Sequence, residues 1–195
     1  MATPTIVVLN RRAKKSAYEG YVIVDVTSKS ADPAGKRLSP FTPPPVAIRV
    51  PFLPDDARSA TVEGVWQGLK VFDGGIDARK FRITNGKGIK RTVRRLGAVR
   101  GHFAGEGAPL LGIAEARERI FLPAYGEQLA QLVAEVDALR CHPKLVLLDY
   151  FTNDNVAVDK PLSHAALLRS FILQGDFSLI RNTPPPPVTG KRKRE

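Results

Sequence analysis

The sequence has 195 residues, of which 43% are hydrophobic, and this length suits one sizeable hydrophobic core. Its apolar runs are shorter than the ~18–20 residues of a membrane span, and the first apolar stretch is too short for a signal peptide. We therefore expect a cytoplasmic protein with no membrane contact. The single cysteine, Cys141, excludes an intramolecular disulfide, and no Cys/His spacing suits zinc, so neither a metal nor another cofactor is expected.

Positive charge is concentrated in two segments. The formal net charge is +11, and nine Lys/Arg but no Asp/Glu fall between Arg79 and Arg100. A second basic run extends from Lys191 to Arg194. Both favour a polyanionic partner, either nucleotide phosphates or a nucleic-acid backbone, although a solvated basic face gives the same pattern. The terminal run is also typical of a nuclear localisation signal, if the source is eukaryotic.

The amino-terminal part of the chain predicts strands separated by a long loop. Residues 6–9 and 21–27 are rich in β-branched residues, which predicts two strands that form a hairpin or an adjacent pair. Five prolines within residues 28–45 remove backbone donors and fix φ, so we expect a loop without a helix there. An extended pattern resumes at residues 46–50.

A helix is predicted from Thr61 to about Phe72, because apolar residues recur at spacings of three and four. Thr61 is a suitable N-cap for this helix. Trp66 belongs to the apolar stripe and is expected in the core. Gly64 and Gly68 share a face, which would let another backbone or a ligand approach closely.

The rest of the chain predicts helices around one buried strand. Hydrophobic periodicity, prolines and a capping serine set the boundaries of these elements. The segment over residues 144–150 is predicted as the strand, although it could also be the end of a helical hairpin. The predicted elements are a short helix over residues 89–96, a loop over 97–112, helices over 113–121 and 123–139, a strand over 144–150, and a helix over 163–174 capped by Ser163 and ended by Gly175.

Three polar residues of the predicted helix over residues 61–72 could carry chemistry. Glu63, Gln67 and Lys70 are spaced i, i+4, i+7, which places them on one helix face. A carboxylate can stabilise an oxocarbenium ion or activate water, an amide can fix sugar hydroxyls, and an amine can bind phosphate or attack a ring-opened sugar. An ordinary solvated face is the alternative that the pattern leaves open.

Two segments resemble the opening of NADAR domains. Residues 38–48, LSPFTPPPVAI, are similar to the family's L-S-N-F-A-P-x-P-I segment. Residues 61–72, TVEGVWQGLKVF, are similar to its T-x-E-H-x-x-Q-x-x-K-F helix. Residues 73–175 match more loosely, without the late W-G and G-x-N elements. Gly64 stands where the family has histidine, and Pro40 stands where it has asparagine.

The four prolines at residues 184–187 and the basic run after them predict a flexible tail over residues 179–195. For residues 1–178, the resemblance implies an α+β fold with a small sheet packed by helices. It also implies an N-glycosidase that acts on a phosphorylated riboside or an ADP-ribosyl substrate. Glu63 matches the family's glutamate and would be the acid/base or oxocarbenium-stabilising group. Gln67 would orient the sugar, and Lys70 would contact phosphate or act as a nucleophile.

Further site candidates lie outside that helix. Asp149, at the end of the predicted strand, is a catalytic candidate. Asn153 and Asp154 in the loop after it are candidates for substrate binding, although an Asx-rich turn explains them equally well. Phe41 of the proline-rich loop is another binding candidate. The basic window contributes a phosphate-binding rim, formed by Lys87, Lys90, Arg91, Arg94 and Arg95.

A protein without catalysis is the competing interpretation. The histidine of the NADAR pattern is missing, and residues 79–100 and 191–194 carry most of the positive charge. These features favour a non-catalytic nucleic-acid-binding or virion/assembly protein built on the same fold.

Overall fold

The computed structural model describes residues 3–89 and 96–184, and within them the strands form three small sheets. Helices pack against the largest sheet, which gives a single α+β domain, as the sequence predicts. The strands are β1 (Thr5–Asn10), β2 (Val22–Asp25), β3 (Ile48–Arg49), β4 (Arg58–Ser59), β5 (Lys70–Val71), β6 (Gly101–His102) and β7 (Lys144–Asp149). The helices are α1 (Pro33–Arg37), α2 (Val62–Gly68), α3 (Ile113–Ala116), α4 (Leu122–Ala130), α5 (Val133–Arg140) and α6 (His164–Gln174).

The main sheet has the order β1-β7-β2, and all its strands are parallel. Thr5 pairs with Lys144, and Val22 pairs with Leu145. The predicted hairpin or adjacent pairing of the first two strands is therefore wrong, because β7 lies between them. Apart from Lys144, β7 is buried, as expected of a central parallel strand covered on both faces.

The predicted strand at residues 144–150 and the closing helix are both confirmed. The hydroxyl of Ser163 accepts a hydrogen bond from the backbone N–H of Ala166, so Ser163 is the N-cap of α6. Gly175 ends the helix with φ 81°, a left-handed conformation that glycine adopts without a Cβ penalty.

Two loop predictions need correction. Helix α1 lies within the proline-rich segment, where Asp32 accepts hydrogen bonds from the N–H groups of Ala34 and Gly35. Pro33 is at the first helical position, where a missing N–H costs nothing. Strand β6 lies within the predicted loop over residues 97–112 and pairs with β5.

Helix α2 is shorter than predicted. Leu69 is its C-cap, and the chain continues directly into β5. Lys70 therefore lies on a strand, opposite His102, and does not share a helix face with Glu63 and Gln67. The i, i+4, i+7 argument fails for Lys70 because pairing with β6 overrides the helical spacing of the apolar residues.

The two helices predicted over residues 113–139 are arranged differently in the structure. Helix α3 continues through a π-helical stretch, Arg117–Phe121, directly into α4. The chain then breaks at Gln131 and Leu132 before α5 begins. Val133, which lies within the predicted helix over residues 123–139, is 54% exposed at the start of α5.

The core lies between the main sheet and the helices. It includes side chains from β7, from α2 and its C-cap, and from α4 and α6, among them Leu145, Leu147, Val65, Leu69, Tyr125, Leu129, Leu167 and Leu168. No helix in the described ranges is long and apolar enough to cross a membrane.

The chain stays docked beyond α6. The backbone N–H of Val156 donates to the carbonyl of Arg181, and Asn155 donates from its amide to the carbonyl of Thr183. The expected domain boundary at residue 178 falls just before this docked segment. Most of the predicted helix over residues 89–96, with Lys90, Arg91, Arg94 and Arg95, and the terminal run 191–194 lie outside the described residues.

Candidate functional site

A cleft of about 1380 Å³ opens at the carboxyl ends of β2 and β7. Residues 27–29, which follow β2, and residues 149–151, which end and follow β7, line one side. Helix α2 and residues 40–43 line another side. Ligands of parallel sheets bind beyond the carboxyl ends of the strands, so the topology marks the same place as the cavity does.

Two predicted site residues form a buried pair in this cleft. The side-chain amide of Gln67 donates a 2.7 Å hydrogen bond to Oε1 of Glu63, and both side chains are almost fully buried. The hydroxyl of Thr61 accepts from the N–H of Gly64 and fixes the start of α2. Glu63 lies in the first helical turn, where the helix dipole favours a negative charge.

The proline-rich segment is hydrogen-bonded to the start of α2. The backbone N–H of Glu63 donates to the carbonyl of Pro40 at 3.0 Å. Two α4 side chains hold the residues just before it: Tyr125 donates to the carbonyl of Leu38 at 2.8 Å, and Gln128 donates to that of Ser39 at 3.0 Å. Phe41, a predicted binding residue, is thereby held in the cleft wall.

The two glycines of α2, Gly64 and Gly68, each lie in close contact with another segment of the protein. An added Cβ at Gly64 would lie 2.5 Å from the hydroxyl oxygen of Ser59. One at Gly68 would lie 2.1 Å from the ring of Phe81, in the 3₁₀ helix Ala78–Arg82. These glycines let that segment press against α2 and fix the orientation of its cleft-facing side.

Lys70 reaches the cleft from β5, next to two rings that are in contact with each other. Trp66 and His102 have ring centroids 4.1 Å apart, and the Lys70 Nζ lies 5.8 Å from the Trp66 ring centroid. All three residues line the cleft. Trp66, expected in the core, is half-buried and forms part of the cleft wall.

His102 is a site residue that the sequence did not indicate. It is 3% exposed, and its Nε2 has no hydrogen-bond partner within the described chain. Burial, followed by the nearby charges of Lys70 and Arg117, lowers the pKa of His102 to about 4. The imidazole is therefore neutral at physiological pH.

Arg117 is the second unpredicted site residue. It begins the π-helical stretch, is 6% exposed and lines the cleft. Its guanidinium donates to the carbonyls of Val156, Val158 and Lys160 at 2.6–2.7 Å, which orients the side chain. Burial lowers its pKa from the usual value, and Asp159 partly opposes this shift. Stretches of π-helix occur frequently at functional sites.

Asp149 is at the floor of the cleft, where both carboxylate oxygens accept hydrogen bonds. Oδ2 accepts from the hydroxyl of Ser163 at 2.9 Å and the backbone N–H of Ala165 at 3.3 Å. Oδ1 accepts from the N–H of Tyr150 at 2.7 Å. These bonds fit a positioning role for Asp149, which joins the end of β7 to the start of α6.

The remaining candidates divide between the cleft and other locations. Lys87 lines the cleft, after a turn in which its N–H donates to Asn85. Asn153 and Asp154 are not among the lining residues. The Asn153 amide donates within its own loop, and the Asp154 carboxylate pairs with Arg169 and Arg181, contacts that stabilise the loop and the docked segment.

The described lining has a positive balance and several aromatic rings. Its cations are Lys29, Lys36, Lys70, Lys87, Arg117 and Lys160, its carboxylates are Glu63, Asp149 and Asp159, and its rings include Phe41, Trp66, Phe121, Tyr150 and Phe151. No group of three or more His, Cys, Asp or Glu residues in the described ranges could hold a metal ion.

Comparison with known proteins identifies the family of this chain. The model of DUF6939, a family of unknown function, matches residues 9–168. The chain belongs to this family. No curated protein and no solved structure matches the sequence. The DUF6939 match extends from β1 into α6 and includes all the cleft-lining residues named above.

Proposed function

We propose that this chain is an N-glycosidase that hydrolyses the bond between a base and the ribose of a phosphorylated or ADP-ribosyl substrate. The observation that carries the proposal is the buried pair of Glu63 and Gln67 in the wall of a large cleft. The resemblance of residues 38–48 and 61–72 to NADAR domains supports the same activity.

The reaction breaks the bond from C1′ of the ribose to the base nitrogen. Water supplies the new C1′ oxygen, and the departing base takes up a proton. Glu63 stabilises the oxocarbenium-like transition state or activates the water, which are the tasks of carboxylates in glycosidases. Gln67 holds one Glu63 oxygen through its 2.7 Å hydrogen bond and thereby fixes the carboxylate orientation.

Aromatic and cationic side chains of the cleft suit the two ends of such a substrate. Phe41, Trp66 and Phe121 offer apolar ring surfaces on which a base can stack. Lys70 and Lys87 supply positive charge for phosphate. A volume of about 1380 Å³ is large enough for a ligand of nucleotide size.

The test is product analysis by mass spectrometry after incubation with ADP-ribosylated guanosine and with nucleotide sugars. Wild-type protein is expected to release free base or ADP-ribose, and Glu63→Gln is expected to be inactive while folded. Glu115→Gln is the matched control, because Glu115 is exposed in the first turn of α3 and is not among the cleft-lining residues.

Two results would contradict the proposal in different ways. Equal release of base or ADP-ribose by wild type and by Glu63→Gln would show that Glu63 takes no part in the reaction. If wild type releases nothing but binds DNA or RNA in a salt-sensitive manner, the non-catalytic nucleic-acid-binding alternative replaces the glycosidase.

A further inference from the structure

Arg117 is a buried cation without an ion-pair partner among the described residues. Three backbone carbonyls accept from its guanidinium, but each is a neutral dipole. The charge of Asp159 acts on Arg117, but the two side chains form no ion pair within 4.0 Å. Desolvating an uncompensated charge is costly, and buried charges are usually paired. A cation held in this way at a cleft wall is suited to an anionic ligand.

The guanidinium also retains donors for a ligand. Arginine has five N–H donors, and the carbonyls of Val156, Val158 and Lys160 account for three of them. These bonds fix the plane of the guanidinium, so little side-chain entropy remains to be lost on binding. The other two donors have no acceptor among the described residues, and two is the number that a bidentate contact with phosphate requires.

His102 gives a second, independent indication of a ligand. Its Nε2 is buried without a partner in the described chain, although buried polar atoms are normally hydrogen-bonded. Lys70 pairs with His102 across strands β5 and β6, and Arg117 lines the same cleft as both residues. A neutral imidazole next to two cations can donate its N–H to an anion.

We propose that Arg117 and His102, with Lys70 beside them, form the subsite that binds the phosphate ester of the ligand. This assignment rests on the proposed function for the identity of the rest of the ligand, and it names a phosphorylated ribose as the substrate class. It places a phosphate contact at the inner wall of the cleft, in addition to the rim that includes Lys87.

Binding measurements by calorimetry test the subsite without requiring turnover. Ribose 5-phosphate and ADP-ribose are the probes, with ribose as the uncharged reference. Wild-type protein is expected to bind the phosphorylated probes, and Arg117→Met is expected to weaken their binding by about tenfold or more, because charge-assisted hydrogen bonds are lost. Arg119→Met is the matched control, since exposed Arg119 stacks on Phe52 and is not among the lining residues.

A second pair of variants keeps the test decisive if Arg117→Met does not fold. His102→Phe preserves a ring against Trp66 and removes the buried nitrogen that lacks a partner. It is expected to fold at least as stably as wild type and to bind ribose 5-phosphate several-fold more weakly. His102→Gln, whose amide can occupy the position of Nε2, is expected to restore part of that affinity.

The outcomes separate this subsite from the glycosidase activity. Arg117-dependent phosphate binding without base release would sustain the subsite and reject the proposed function. Base release with unchanged phosphate affinity in folded Arg117→Met and in His102→Phe would reject the subsite. Tighter Arg117-dependent binding of ribose 5-phosphate than of ADP-ribose would support a monophosphate ligand, and the reverse order would support a diphosphate.

Discussion

His164 Nδ1 lies 3.1 Å from Oδ2 of Asp149, and its Nε2 lies 2.9 Å from the carbonyl oxygen of Val26. This imidazole therefore connects the end of β7 with the backbone just after β2. Ser163 contacts the same carboxylate while it caps α6. One buried carboxylate thus joins two strands and a helix beneath the cleft.

Asp149→Asn is expected to destabilise the fold by about 2–4 kcal/mol. An asparagine side chain has only one acceptor oxygen, and its amide nitrogen replaces the other carboxylate oxygen. The donors that bound that oxygen lose their hydrogen bonds, so buried N–H or O–H groups are left without an acceptor. Urea unfolding measures the loss. Asp56→Asn, at an exposed loop position, is the control and is expected to leave stability unchanged.

The same variant tests whether Asp149 is catalytic, as the sequence predicts, or a positioning residue. If it only positions β7 and α6, the folded fraction of Asp149→Asn should retain most of the proposed base-releasing activity. Complete loss of turnover in a protein with wild-type stability would instead assign Asp149 to the chemistry.

His102 is expected to make stability depend on pH between about 6.5 and 4. Its pKa is about 4 in the folded chain and ordinarily 6.5, so in this range the unfolded chain binds the proton more strongly. The contribution of His102 to the free energy of unfolding is therefore fully present above pH 6.5 and is lost as the pH decreases towards 4. The full loss is about 3 kcal/mol, because one pKa unit corresponds to about 1.4 kcal/mol.

Urea unfolding at a series of pH values, with His102→Phe in parallel, isolates this contribution. The variant has no imidazole at position 102, so its stability should fall less over the same pH range. Parallel curves for the two proteins would show that His102 does not titrate as its burial implies. His142→Phe is the control, since His142 is not a cleft-lining residue.

Local patterns in the sequence predicted much of the fold and part of the site. The contact between Glu63 and Gln67 could be predicted, because residues four positions apart on a helix lie on the same face. The cap at Ser163 and the stop at Gly175 also follow from local chemistry. The order of the main sheet did not follow, because parallel pairing joins segments more than a hundred residues apart and leaves no local signal.

The site residues that were missed depend on distant contacts. Arg117 looks like one more charge on an amphipathic helix until its donors meet carbonyls 39–43 positions later in the chain. His102 lies in a glycine-rich stretch that predicts a loop, and only its pairing with β5 brings it against Trp66. Lys70 reaches the cleft through the same pairing, after the helix that was expected to carry it has ended.

Gly68→Ala is expected to destabilise the fold by about 1–3 kcal/mol, despite the better helix propensity of alanine. Its Cβ would lie 2.1 Å from Cε1 of Phe81, so the ring or α2 must move. Thermal or urea unfolding measures the effect. Gly74→Ala is the control, because nothing lies within 4 Å of the added Cβ and its φ is not positive.

A compensating substitution shows whether the clash is the cause. Adding Phe81→Leu to Gly68→Ala makes room for the new methyl group and should recover part of the lost stability. If the double variant loses the sum of the two single effects, the glycine and the ring are not coupled.

Tyr125→Phe is expected to destabilise the fold by about 1–2 kcal/mol and to weaken substrate binding. Burial raises the pKa of Tyr125 well above 10, so the hydroxyl remains a donor to the carbonyl of Leu38. Its removal takes away a buried hydrogen bond that holds the segment leading to Pro40 and Phe41. Because the Pro40 carbonyl accepts from the N–H of Glu63, a loosened segment also disturbs the start of α2.

Urea unfolding and steady-state kinetics together test this relationship, with Tyr18→Phe as the control. No hydrogen bond from the Tyr18 hydroxyl is found in the described chain, and Tyr18 lies away from the cleft, so its substitution should change neither quantity. For Tyr125→Phe we expect KM to rise more than kcat falls, because the affected segment forms a wall of the cleft while the Glu63–Gln67 hydrogen bond remains available. Unchanged stability with a selective loss of kcat would mean that the hydroxyl acts on the reaction and not through the Leu38 carbonyl.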